Sequence, residues 1–152
     1  MAEGEPVIKE IFIEATPQEI FAYLTDSDKY VLWMGLAAQL DPRPGGIFQI
    51  DPNTRDIIRG KFIEVVPPTR VVFTWGWQEP GHPVPAGSTR VHIELTPQNG
   101  GTLLRLVHHG IPSASRERHE MGWLHYLARL KTVMSGGNPG PDPFAAASVR
   151  HG

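Results

Sequence analysis

The chain has 152 residues, 40% of them hydrophobic and 20% charged, with a formal net charge of −2. That is the composition of one folded domain able to bury a core unaided, without the basic excess of a nucleic-acid surface. The absence of cysteine rules out disulfides, thiolate metal sites and cysteine nucleophiles. No stretch reaches the roughly 18 apolar residues of a membrane span, and the first ten residues lack the basic and apolar regions of a signal peptide, so a cytoplasmic location is expected.

Val7 to Glu14 is rich in β-branched residues and predicts a strand. Thr16-Pro17 with Glu19 is a helix start: an N-cap, a proline at the first position and an acid in the first turn. That helix carries Ile20, Phe21 and Leu24 inward, and Asp26 or Ser27 caps a second short helix running through Tyr30 to Trp33. Strands follow at Leu36 to Leu40, from Gly45-Gly46 through Phe48 and Ile50, at Ile57 to Val66, and at Arg70 to Trp77. In the last of these Val71, Phe73, Trp75 and Trp77 alternate, as one-sided burial requires. Gln78 to Gly87, with three prolines, is a loop placed to act as a lid and carries His82. Thr89 to Thr96 and Leu103 to His109 form a hairpin through Gln98-Asn99-Gly100-Gly101, where glycine and asparagine supply positive φ.

Ser113 to Met134 is a long helix with Trp123, Leu127, Leu130 and Met134 on one stripe and Leu124 at its margin. The same face begins with Arg116, His119 and Glu120, so an apolar wall ends in titratable groups, as the wall of a pocket does. The order of elements predicts an α+β fold in which a curved antiparallel sheet of about six or seven strands wraps around the long helix. Residues 1–135 are expected to form this domain. Residues 136–152 form a Gly/Pro-rich tail without periodicity, in which Phe144 is the one large apolar side chain available for docking.

Several ordered motifs resemble those of a known family. They are Ala15-Thr16-Pro17, Trp33, Pro44-Gly45-Gly46 with Phe48, Gly60-Lys61-Phe62-Ile63-Glu64 before Pro67-Pro68, Arg70-Val71-Val72-Phe73-Thr74-Trp75, Gly101-Thr102-Leu103-Leu104, His108 before Gly110, and His119-Glu120-Met121-Gly122-Trp123. The set is similar to the START/Bet v 1-like (SRPBCC) superfamily, and within it to the group related to the C-terminal domain of the Hsp90 ATPase activator (AHSA1-like). The resemblance implies a helix-grip fold with a cavity between sheet and helix for small hydrophobic molecules. Its relatives include polyketide cyclases, lipid or hormone carriers and chaperone-ATPase stimulators, and it brings no catalytic residue set with it.

On this reading Trp33, Phe48, Phe62, Phe73, Trp75, Leu104, Leu106, Trp123 and Leu127 line the cavity, and His108, His119 and Glu120 orient the polar end of a ligand. The same aromatic residues also read as a solid core. The histidines read equally as hydrogen-bonded supports of the strand–helix corner, or as an acid–base pair for a cyclase or hydrolase. Their spacing matches no metal signature, and no cofactor is expected. Expected partners are a small hydrophobic molecule, a second copy of the chain, or a protein of the chaperone-ATPase kind; neither nucleic acid nor a membrane span is expected.

Overall fold

The computed structural model describes residues 5–52 and 56–142. The chain opens with β1 (Val7–Ile13), then α1 (Pro17–Thr25) and the single turn α2 (Ser27–Tyr30). The predicted start of α1 is a full capping box: the Glu19 amide donates to the Thr16 hydroxyl at 3.1 Å, and the Thr16 amide donates to the Glu19 carboxylate at 2.9 Å. Asp26 caps α2 by accepting from the amides of Asp28 and Lys29. Two helices can follow so closely because one polar residue ends the first and begins the second.

Six strands come next: β2 (Ala37–Leu40), β3 (Ile47–Asp51), β4 (Ile58–Val66), β5 (Arg70–Trp75), β6 (Thr89–Gln98) and β7 (Gly101–His109). They form the expected antiparallel meander, and β1 joins it beside β7, giving the order β1-β7-β6-β5-β4-β3-β2. The β6–β7 turn uses positive φ at Asn99 and Gly100, as the sequence demands. A register shift between Phe62 and Glu64 bends β4.

Several boundaries differ from the sequence expectation: α2 stops at Tyr30 rather than running to Trp33, and β7 begins at Gly101 rather than Leu103. β5 ends at Trp75, because Gly76 lies against the Pro85 carbonyl and Trp77 keeps only isolated bridges to Ile58 and Pro85. β6 runs two residues past Thr96, paired to β7 down to Gln98↔Gly101. The long helix begins as one 3₁₀ turn, Ser113–Ser115, before α3 (Arg116–Met134).

α3 buries His119, Trp123, Tyr126, Leu127 and Leu130. The core lies between this face and the inner side of the sheet, where Phe48, Val91, Leu104 and Leu106 are fully buried. Each such side chain contributes about 1.5–3 kcal/mol through burial. Gly136, at positive φ, ends α3. The chain then turns back along the helix: Arg129 donates to the Pro139 carbonyl, and Tyr126 and His125 both reach Asp142. Phe144 lies outside the described residues. Among the described residues no helix is long and apolar enough to cross a membrane.

Candidate functional site

Trp75 is the hub of the interior. Its ring centroid lies 4.9 Å from Trp123, 5.6 Å from His108, 6.0 Å from Phe48 and 6.5 Å from Trp77. Phe48 stacks on Phe73 at 4.1 Å and meets Phe62 edge-on at 5.7 Å. Trp33 closes the far end, its indole donating to the Tyr23 carbonyl. All the residues expected to line a cavity, Leu104, Leu106 and Leu127 included, are therefore buried in one cluster. Within it the indole N–H of Trp75, a residue 3% exposed, is buried and meets no acceptor among the described residues. A buried donor left unmade costs about 1–3 kcal/mol, so its position needs an explanation.

The two histidines form the polar edge of the cluster. The Thr89 hydroxyl has one proton and gives it to the Trp75 carbonyl at 2.7 Å. It must therefore accept from His108 Nε2–H, 2.8 Å away. That leaves His108 Nδ1 unprotonated, and it accepts from the Trp123 indole N–H at 3.0 Å. His119 is the opposite tautomer. Its Nδ1–H donates to the Ser115 carbonyl at 2.9 Å, and Nε2 accepts from the Trp77 indole at 3.3 Å. The imidazole rings stand edge-on at 6.0 Å. Burial pushes both below the ordinary imidazole range. For His108, well below, the proximity of His119 and His109 adds to the effect; for His119 the Ser115 carbonyl partly opposes it. Both are neutral at pH 7, and all four ring nitrogens are engaged.

Glu120 is not brought to this edge. Its carboxylate bonds Lys9 of β1 at 3.0 Å and meets Arg116 at 3.6 Å, and Lys9 holds it ionised, below the usual carboxylate range. Arg116 also donates to the carbonyls of Glu5 and Pro6. These groups clamp the start of α3 to the edge strand. His92 and His109 lie on the outer face of the sheet, their rings edge-on at 5.0 Å.

Sequence reasoning did not single out Thr89, Trp77 as a plug, or Lys9. Thr89 stands opposite Trp75 in the β5–β6 register, so its hydroxyl faces the strand end where a polar residue is least costly. Alternation places Trp77 on the inner face with Trp75. It instead caps the cluster between His119 and His82, whose ring stacks on it at 5.4 Å. His82 holds its own loop by accepting from the Val84 amide.

Residues 14–135 match the family model described as activator of Hsp90 ATPase homolog 1-like protein. The human activator of 90 kDa heat shock protein ATPase homolog 1 is 28% identical over 123 residues, which is 78% of this chain but only 33% of the human protein. The chain thus spans about a third of that relative's length. The solution structure of an AHSA1-like protein from Rhizobium etli is 45% identical, covers 91% of this chain and 87% of its own, and superposes with a TM-score of 0.70. An Aha1 dimer from Colwellia psychrerythraea shares the fold at a TM-score of 0.74 and 18% identity, over 90% of this chain and 98% of its own. From the capped first helix to the end of α3, the chain belongs to the activator of Hsp90 ATPase homolog 1-like family.

Proposed function

We propose that the chain binds a small, largely apolar molecule carrying one hydrogen-bond acceptor, held between the sheet and α3. The observation that carries this reading is the Trp75 indole N–H, a buried donor without an acceptor among the described residues, in the middle of an aromatic wall. A carbonyl or ether oxygen of a flat ligand would satisfy it, while Trp123, Phe48 and Phe73 supply the stacking surfaces. On this reading entry runs past Trp77, which closes that end through a 3.3 Å bond to His119 and the stacked His82 ring. His108 and His119, with both nitrogens of each ring committed, serve as supports of the wall, and acid–base chemistry would first have to break those bonds.

The test is thermal unfolding with tryptophan fluorescence against a panel of aromatic ketones and ethers. A true ligand at a hundredfold its Kd stabilises the fold by about 2.7 kcal/mol. Trp75→Phe, which keeps an aromatic ring but removes the donor, should still fold, at a lower starting stability, and lose most of that gain. No shift with any compound, or equal gains in Trp75→Phe, would refute the proposal.

A second reading follows from the family match: a protein-interaction module that stimulates a chaperone ATPase. It is tested by the ATPase rate of purified Hsp90 with and without the chain, and an unchanged rate together with no binding would dismiss it.

A further inference from the structure

The outer face of the sheet carries two unlike bands of charge. One is self-neutralised: Glu10 pairs Arg105 at 3.0 Å, and Arg70 meets Glu64 at 3.3 Å and Glu94 at 3.5 Å. Cross-strand register sets Glu10, Arg105, Glu94 and Arg70 in one row across four strands. The second band, nearer the 78–88 loop, has no such balance. Arg59 and Lys61 project from β4, and Arg90 stands beside Thr74 in the β5–β6 register. Arg59 bonds the neutral Gln78 side chain at 3.1 Å. Among the described residues none of the three has a carboxylate partner. In a chain of net charge −2, this is a local cationic surface beside the neutralised row.

The band borders a groove of about 650 Å³, open to solvent, whose charged lining residues are Arg59 and Lys61 and which includes the half-exposed Ile63. It forms where the β4–β5 ladder is interrupted. The Lys61 amide bonds the Thr74 hydroxyl in place of a backbone carbonyl, and the Gly87 amide bonds the Arg59 carbonyl. Gly45 and Gly87 keep the floor low: a Cβ at the first meets nothing within 4 Å, and at the second only the Thr74 hydroxyl at 3.9 Å.

We propose that this groove docks an extended acidic segment of a protein partner, with Arg59, Lys61 and Arg90 facing its carboxylates and Ile63 an apolar side chain. Charge complementarity chooses the occupant: unpaired cations flank an open, backbone-floored channel, and a single apolar side chain interrupts them. The inference is independent of the interior ligand. It would give the partner reading a surface, yet does not require the partner to be a chaperone.

The test is titration of a fluorescein-labelled peptide of glutamate and leucine into the full chain, followed by anisotropy and by amide NMR shifts. A peptide with lysine for glutamate and single-stranded polyuridylate serve as comparators. The expected result is salt-sensitive binding of the glutamate peptide, with shifts centred on Lys61, Thr74, Gly87 and Arg90. The affinity should fall about tenfold or more in Lys61→Glu/Arg90→Glu, a variant whose melting temperature checks its fold. Absence of binding, unchanged affinity in the variant, shifts mapping elsewhere, or equal binding of polyuridylate would each overturn it. Because the assay uses no Hsp90, a chain that leaves the Hsp90 ATPase unchanged but binds the peptide through these residues rejects the chaperone reading and retains the groove.

Discussion

At the scale of single residues, a few protons determine what the interior can do. The Thr89 hydroxyl, by donating to a carbonyl, dictates the His108 tautomer, and that tautomer in turn positions the Trp123 indole. Protonating His108 would force Nδ1–H against the Trp123 N–H, so the charged form is disfavoured twice, by burial and by a clash of donors. In the unfolded chain the same imidazole titrates near 6.5. Below that pH the unfolded state takes up a proton that the folded state refuses, so stability falls as pH drops from 6.5 toward the lower folded value. His119 acts in the same direction. Chemical unfolding should therefore show a loss approaching about 1.4 kcal/mol per pH unit for each fully titrating histidine. His108→Gln should be less stable at neutral pH but flatter below it. A wild-type profile level from pH 7 to 5 would contradict the assignment. His108 was legible from alternation, which put it on the inner face with Leu104 and Leu106. Glu120 was not, because helical spacing gives its angle but not the Lys9 that draws it to the sheet edge.

At the scale of elements, the junction of β4 and β5 matters most. Gly60 is required there for closeness: a Cβ would lie 1.9 Å from the Thr74 carbonyl oxygen. Gly60→Ala must push the strands apart, at about 1–3 kcal/mol for overpacking. Gly45→Ala, where the space is open but φ is +86°, pays only the backbone strain of about 1 kcal/mol. Urea midpoints of the two variants check the order, and equal losses would refute the close approach. The alternation of Val71, Phe73 and Trp75 disclosed the strand and its inner face, but could not disclose where it ends. Trp77 continues the period while the backbone has already left the ladder, because Gly76 yields to Pro85, nine residues on in the following loop, a contact that no local pattern encodes. Val72 is buried on the outer face, where the register sets it between Glu64 and His92.

At the scale of the whole molecule, the sheet grips one side of α3 and the returning segment 136–142 covers part of another. The hydrophobic stripe announced the first contact; nothing in the glycine- and proline-rich composition announced the second. Its anchor is Asp142, whose two oxygens take the Tyr126 hydroxyl and His125 Nε2, the latter at 2.8 Å. Tyr126 is 7% exposed, and burial, reinforced by the bond to Asp142, pushes its hydroxyl above the usual tyrosine range. Because the Asp142 side chain is itself only 11% exposed, the contact is sheltered from the screening that makes surface pairs weak. Asp142→Ala should cost about 1–3 kcal/mol, more than Tyr126→Phe, which removes the donor together with its need for an acceptor. In the double variant the losses should be less than additive, since each change removes the same bond. Urea unfolding of the two single variants and the double decides it. Strict additivity would mean that the Tyr126–Asp142 bond adds nothing, and that the segment is held on α3 through His125 and Arg129 instead.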